Sequence, residues 1–372
     1  MSSPRIAVVL ASALLLALAG CATSRPRQEV AFDPEVITGD PALEGLNDEE
    51  LFASGSAKFA ANELNEAIRY FDRLATSFPD SRHRGAALFN AGLAFQKQQK
   101  WEEAYQRFQP VADPSAPPGD ALESAFRAAE ALYHLDRFAE AVGLLHTLAM
   151  RADLPVGRQL EAQVQEGVCL VESGRREEAE TTLRTAVERY DRLGDKSEVN
   201  DYFPGQAQFF LGEVYRLGYQ TVVLDGAKGV DALAEDLEHK AQLLLSAQGH
   251  YLRAIRIGNG YWATAAGGRI GNLYEDLYEH ILASSPPPEL NPEEAGEYRQ
   301  ELRKKVRVLI TKAIAVYEQT LEAAERVGTS GPFIENTRES LKKLKERLVH
   351  DAEAAETNAR RPPSPTAQLA LG

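Results

Sequence analysis

The sequence predicts an all-α solenoid of about six helix hairpins, with insertions in the last two hairpins and a capping helix at the C-terminal end. The first observation is that four alanines recur at intervals of 37, 37 and 38 residues: Ala67, Ala104, Ala141 and Ala179. The second is that a small residue precedes each alanine by twelve positions: Gly55, Gly92, Ala129 and Gly167. Self-similarity at such a period is typical of stacked two-helix units. Small residues are needed where the two helices of a hairpin cross, and stacking the hairpins makes their core continuous.

Other positions of the first two units agree with a known repeat. Leu51, Phe71 and Pro79 stand at positions 4, 24 and 32 of the first unit, and Leu88 and Phe108 at positions 4 and 24 of the second. With small residues at positions 8 and 20, the pattern resembles the tetratricopeptide repeat (TPR), a helix hairpin of about 34 residues. The resemblance implies a right-handed superhelix in which the first helix of each hairpin, here called helix A, lines a concave face. The second helix is called helix B.

The fifth and sixth repeats carry insertions between their two helices. Gly212 opens repeat five and Ala247 marks its helix B, 35 residues later, where twelve are expected, so about 23 residues are inserted. Gly271 opens repeat six and Ala313 marks its helix B, with about thirty inserted residues. Because the helix A glycine and the helix B alanine are recognisable in both repeats despite the insertions, the sequence predicts two long hairpins.

The helix that closes repeat six has clear ends. Asn291 is an N-cap residue followed by proline and two glutamates, which suit the first turn, and Gly328 is a typical stop. An apolar seam at four-and-three spacing runs from Leu302 to Val327. We expect the seam to pack within the chain, and a coiled coil with another chain is the alternative.

The N-terminus resembles the lipobox of bacterial lipoproteins. Arg5 precedes the apolar stretch 6–18, and Leu18-Ala19-Gly20 leads directly into Cys21. This arrangement is typical of an exported signal. The resemblance implies cleavage before Cys21, which would carry N-acyl (palmitate-type) and S-diacylglycerol lipid. Because Ala22 rather than aspartate follows, it also implies outer-membrane anchoring, with the protein facing the periplasm. The alternative is a chance cysteine after an ordinary signal peptide.

These signals predict the domain organisation. A signal peptide covers 1–20, the lipidated cysteine and a flexible tether 21–46, repeats one to four 47–204, repeats five and six 205–328, a capping helix 329–353 and a disordered tail 354–372.

Composition and motifs argue against catalysis and nucleic-acid binding. The formal charge is −14, which disfavours a nucleic-acid partner. No His-Glu-x-x-His, Cys-x-x-Cys or Gly-x-Ser-x-Gly motif occurs. We therefore expect no catalytic residues, no metal, no small-molecule substrate and no cofactor apart from the lipid on Cys21. An envelope enzyme that uses the insertion region is the alternative.

Ten aromatic, basic and amide side chains are candidates for binding a protein partner. From helices A they are Phe89, Asn90, Arg127, Tyr133, Phe209 and Phe210; from an aromatic and basic patch within 238–278 they are Arg253, Arg256, Trp262 and Arg269. Rigid aromatics and arginines suit recognition surfaces. The competing interpretation is that the phenylalanines seal neighbouring repeats and that Trp262 is internal. Asn90 and Arg127 match two positions of a carboxylate clamp, but the other clamp positions hold Phe52, Ser56 and Glu123, which cannot supply the remaining contacts.

Two finer resemblances concern the pathway. Residues 55–108 resemble outer-membrane TPR lipoproteins, including the lipoprotein of the barrel-assembly machinery and the coordinator associated with the Tol system. The stretch from Glu235 to Tyr274 resembles TPR lipoproteins of myxobacteria, among them one of the adventurous gliding machinery. The second resemblance implies a part in a trans-envelope motility complex. Barrel assembly and cell-division coordination are the alternatives.

Overall fold

The computed structural model of the chain describes residues 43–197 and 199–359. The signal peptide, Cys21 and the tether to residue 42 lie outside these residues, as do 360–372 of the tail. Residues 43–45 form a turn, and the described residues from Asn47 onward belong to one compact unit.

Helices alone make up the regular structure of the described residues. The first eight are α1 (Asp48–Ala60), α2 (Leu64–Ser77), α3 (Arg84–Lys97), α4 (Trp101–Phe108), α5 (Asp120–His134), α6 (Phe138–Ala149), α7 (Val156–Glu172) and α8 (Arg176–Asp191). The others are α9 (Tyr202–Thr221), α10 (Val230–Ile257), α11 (Gly260–Ala283), α12 (Pro292–Val327) and α13 (Pro332–Ala359), with a 3-10 turn at Gly226–Lys228. None of them combines the length and apolar character that a bilayer crossing requires.

The helices are arranged as six stacked hairpins. Each helix packs on the next one along the chain, and helices A also pack on each other, as α7 does on α9 and α9 on α11. Helix α13 packs on both α11 and α12. This arrangement confirms the predicted all-α, TPR-like solenoid with a terminal capping helix.

A small residue of helix A lies against a large residue of helix B in every hairpin. The pairs are Gly55 and Phe71, Gly92 and Phe108, Ala129 and Leu145, Gly167 and Leu183, Gly212 and Tyr251, and Gly271 and Tyr317. A Cβ atom added to any of the five glycines would lie between 2.2 and 2.8 Å from the facing side chain. The large residue therefore occupies the space that the glycine leaves, and the two helices can approach closely.

The insertions lengthen the hairpins. Helices α10 and α12 contain 28 and 36 residues, whereas α2 contains 14. The tips of the last two hairpins pack together. The contact at Gly226 is close, since a Cβ atom added to this glycine would lie 2.0 Å from the backbone oxygen of Ser285. Lys240 of the inserted stretch is fully buried, and its ammonium donates to the carbonyls of Tyr219 and Val222 at the end of α9, at 2.8 and 2.7 Å.

The signals predicted for α12 are present. Asn291 accepts from the backbone of Glu294 in a capping box, and Gly328 ends the helix at φ +67°. The seam packs within the chain, since Val306 and Ala313 share a buried cluster with Leu344 of α13.

The capping helix is longer than the sequence indicated. It runs to Ala359, so the predicted boundary at 353 is too early and 354–359 are helical. Alanine and glutamate in this stretch favour a helix, and no breaker occurs before Pro362.

Replacing Gly212 by alanine tests the contact between the two helices of repeat five. The new Cβ would lie 2.4 Å from the Tyr251 ring, so we expect the free energy of unfolding to fall by about 1–3 kcal/mol through overpacking, measured by urea denaturation. Gly143→Ala is the matched control, because that helical glycine has no atom within 4 Å of its added Cβ. It should stabilise the protein by about 0.5–1 kcal/mol. Equal stabilisation by both changes would contradict the packing described.

Candidate partner-binding groove

Helices A of repeats three to six enclose a groove of about 650 Å³. Its walls come mainly from α5, α7, α9 and α11, and Phe333 at the start of α13 also lines it. Six of the ten predicted residues line it: Arg127, Tyr133, Phe209, Phe210, Trp262 and Arg269. The structure therefore brings together residues separated by up to 142 positions in the sequence.

The other four predicted partner-binding residues lie elsewhere. Phe89 packs in a helix A to helix B contact, with its ring centre 5.8 Å from that of Phe108, and neither it nor Asn90 lines the groove. Arg253 and Arg256 are exposed on α10, beside a separate cavity of about 290 Å³.

The patch predicted within 238–278 is therefore not one surface. Tyr251 is completely buried against Gly212, whereas Arg253 points to the outer cavities and Trp262 to the concave groove. Tyr251 and Arg253 face different surfaces because each position on a helix is rotated by about 100° from the one before it. Trp262 belongs to the next helix, α11.

Aromatic side chains form one wall of the groove. The Trp262 ring centre lies 5.1 Å from that of Phe209, 5.9 Å from Phe210 and 5.4 Å from Tyr202. Tyr261 packs edge-on against Trp262 at 4.8 Å and remains 39% exposed. Phe209 and Trp262 are buried, so the accessible part of this wall comes from Tyr202, Phe210 and Tyr261. Such rings lose little conformational entropy when a partner binds.

A short helix junction places Trp262 in this wall. Gly258 ends α10 at φ +93°, and the side chain of Asn259 then accepts from the backbone N–H of Trp262 at 3.2 Å, starting α11. The Asn259 amide also donates to Asp201 at 3.0 Å, which ties the junction to the start of α9. Trp262 is 4% exposed, and its Nε1 has no acceptor among the described residues.

The arginines of the groove are already paired. Arg127 lies 3.0 Å from Glu130, and Arg158 lies 2.6 Å from both Glu123 and Glu161. The Arg158 guanidinium also sits 3.7 Å from the centre of the Phe126 ring. These pairs hold α5 and α7 in register and leave few unpaired cations on this wall.

Glu213 joins the groove to the core of repeat five. Its carboxylate lies 2.7 Å from Arg216 and 3.0 Å from Arg269, and it accepts from the hydroxyl of Tyr251. The side chain is 8% exposed. Arg269 is a predicted partner-binding residue. It is therefore paired with the same carboxylate that accepts a hydrogen bond from Tyr251, whose ring occupies the space beside Gly212.

The groove lining includes the side chain of Cys169. No group of histidine, cysteine, aspartate and glutamate in the described residues could hold a metal ion. The Cys169 thiol is buried, and this burial raises its pKa to about 12, so it is neither an active nucleophile nor a ready ligand.

Sequence reasoning missed Tyr202, Phe333 and Glu172 as groove residues. Tyr202 lies ten positions before Gly212, ahead of the first consensus position of the repeat, because α9 begins early. Phe333 belongs to the capping helix, and Glu172 is the last residue of α7. The repeat pattern assigns no role to such positions. The adjacent aromatic residues Tyr202 and Phe203 are nevertheless a sequence feature that could have indicated this part of the groove.

Comparison with known proteins identifies the repeat. A family model for the tetratricopeptide repeat matches residues 51–81 and 86–111. These two segments are similar to tetratricopeptide repeats. They correspond to the hairpins α1–α2 and α3–α4, and the TPR fold is in general a protein-interaction fold. No curated protein sequence matches the chain.

Several solved structures resemble the chain. A tetratricopeptide repeat protein from Parabacteroides merdae shares 14% identity at a TM-score of 0.36, over 80% of this chain and 98% of its own. A putative kinesin light chain with TPR-like repeats from Podospora anserina shares 17% identity at 0.37, over 53% and 96%. A Rap protein complexed with competence and sporulation factor shares 13% at 0.33, over 85% and 80%. Because these TM-scores are low, we assign the fold from the helix hairpins described above and not from these similarities.

Replacing Glu213 by glutamine tests whether this carboxylate supports the groove. Arg216 and Arg269 would lose their anion in a partly buried setting, so we expect unfolding free energy to fall by about 3 kcal/mol. Glu335→Gln is the control, because Glu335 and Arg338 form an exposed pair whose loss should cost less than about 1 kcal/mol. Equal effects in thermal or urea denaturation would show that Glu213 has no special role.

Proposed function

We propose that the protein is a non-enzymatic scaffold that holds a segment of a partner protein in the groove. The observation that supports this most is that four consecutive helices A line one concave surface, and that three of them, α5, α9 and α11, place predicted recognition residues on it. A volume of about 650 Å³ falls within the usual range of about 300–1,000 Å³ for ligand sites.

The dimensions favour an elongated ligand. Three spacings between four neighbouring helices amount to roughly 27 Å at about 9 Å each. An extended chain covers that distance with about eight residues. A peptide segment crossing α5, α7, α9 and α11 would therefore contact every wall of the groove, including the aromatic wall around Trp262.

We further propose that the scaffold is an outer-membrane lipoprotein that faces the periplasm. The lipobox ending at Cys21 supports this proposal. Two or more acyl chains hold a protein on a membrane far more firmly than one. A tethered groove would meet other envelope proteins at high effective concentration.

The pathway is proposed on the finer sequence resemblance. The stretch from Glu235 to Tyr274 supports a component of a gliding motility complex, whereas the repeats at 55–108 are equally compatible with barrel assembly or with cell-division coordination. The partner found by the crosslinking experiment below distinguishes these pathways.

Crosslinking in whole cells tests the groove. A photoreactive phenylalanine analogue replaces Phe210 or Tyr261, which are aromatic groove residues, and mass spectrometry identifies the products. We expect both positions to capture the same envelope protein. Tyr70 on α2 and Arg256 on α10 are the control positions, because neither lines the groove. Capture of that protein from Arg256 but not from Phe210 or Tyr261 would place the partner on the outer face and contradict the proposal.

The Cys21→Ser change tests the membrane anchor. Without the thiol no diacylglyceryl group can be attached, so we expect the protein to leave the outer-membrane fraction on density-gradient separation. Its circular dichroism spectrum should stay helical because the repeats begin only at Asp48. A variant that stays in the outer membrane, or a soluble variant that complements a deletion strain, would contradict the role of the lipid.

A further inference from the structure

We infer that the partner segment presents a lysine or arginine to Glu172 and Tyr133, next to an apolar side chain that packs on the aromatic wall. The inference rests on the proposed function, because it specifies the chemistry of the segment that the groove holds. It concerns one end of the groove, where α5 and α7 finish.

The first argument is the charge that the groove leaves unpaired. Glu172 lines the groove and makes no ion pair or hydrogen bond within the described residues. Arg216 is in electrostatic range, but its guanidinium is bonded to Glu213 at 2.7 Å. The carboxylates of Glu213 and Asp136 add negative charge around Glu172. A cation from a partner would relieve this repulsion.

The surroundings of Glu172 raise its pKa, although the residue remains exposed. Partial desolvation first, and then the carboxylates of Glu213 and Asp136, raise this pKa above its usual value. Burial, followed by the charge of Glu172, raises the pKa of Tyr133 to about 12. Tyr133 is therefore uncharged at neutral pH and lies close enough to Glu172 to be affected by it.

The second argument is the aromatic surface beside that charge. Tyr133 and Tyr202 both line the groove, and they are close enough to interact electrostatically. Neither hydroxyl has a hydrogen-bond partner among the described residues. A basic side chain beside aromatic rings gains about 0.5–2 kcal/mol from the ring quadrupole.

The third argument comes from the helix ends. Tyr133 is next to the last residue of α5, and Glu172 is the last residue of α7. The C-terminus of a helix carries a partial negative charge, which favours cations. The C-terminal ends of α5 and α7 thus add negative electrostatic potential near the carboxylate of Glu172.

An independent feature of the groove wall also points to a ligand. Trp262 is more than nine-tenths buried, lines the groove and has an indole N–H without an acceptor in the described part of the chain. A bound peptide could place an apolar side chain against Phe210 and Tyr261, which are the accessible rings beside it.

The arginines argue against an acidic ligand. Arg127, Arg158 and Arg269 each lie within 3.0 Å of a glutamate. An acidic peptide would have to displace these carboxylates from the arginines. It would also be repelled by the unpaired carboxylate of Glu172. The groove therefore selects for a basic segment.

Selection from a displayed library of random peptides on the purified full chain tests the inference. We expect the enriched peptides to share a lysine or arginine flanked by leucine or an aromatic residue. Measured by fluorescence anisotropy, binding of the most enriched peptide should weaken about tenfold for Glu172→Gln, because a charge-assisted contact is lost. Glu177→Gln, on an exposed glutamate of α8, is the matched control and should bind unchanged.

A charge reversal completes the test. The Glu172→Lys variant should lose the basic peptide and bind a version in which glutamate replaces the basic residue. Enriched peptides without a basic residue, or equal binding by Glu172→Gln and Glu177→Gln, would overturn the inference while leaving the groove intact. Peptide binding that is insensitive to Tyr261→Ala and Phe210→Ala would instead overturn the proposed function.

Discussion

The structure depends on one repeated contact, in which a small residue of helix A accepts a ring or a branched side chain from helix B. Gly55 and Phe71 show it in the first hairpin, and Gly271 and Tyr317 show it in the last. Close approach of the two helices buries the large side chain in the space beside the small residue, as the close packing of protein interiors requires. Because the contact recurs in each hairpin, helices A stack side by side, and the groove is a consequence of that stacking.

The same contact explains why the hairpins tolerate insertions. Gly212 still meets Tyr251 and Gly271 still meets Tyr317, although the inserted residues lie between them. The added residues extend the helices away from the crossing point. The inserted residues are stabilised by the buried Lys240, which donates to a backbone carbonyl at the end of α9, and by the close contact between Gly226 and Ser285.

Sequence reasoning predicted the repeats well because glycine, alanine and aromatic positions report directly on helix crossing. It located Arg127, Tyr133 and Phe210 in the groove because they occupy outward positions of helix A that the repeat leaves free of core contacts. It failed where a residue lies outside the period, as for Tyr202 and Phe333, and where residues close in sequence face different surfaces, as for Arg253 and Trp262. The unpaired state of Glu172 depends on three-dimensional distances to other charges, which no spacing in the sequence gives.

The central claim is that helices A of repeats three to six act together as one binding surface. Hydrogen–deuterium exchange of the full chain, with and without the selected peptide, tests it most directly. The account predicts slower exchange in α5, α7, α9 and α11 together, with α2 and the outer face of α10 unchanged. Slower exchange confined to α10, or to a single helix A, would contradict it.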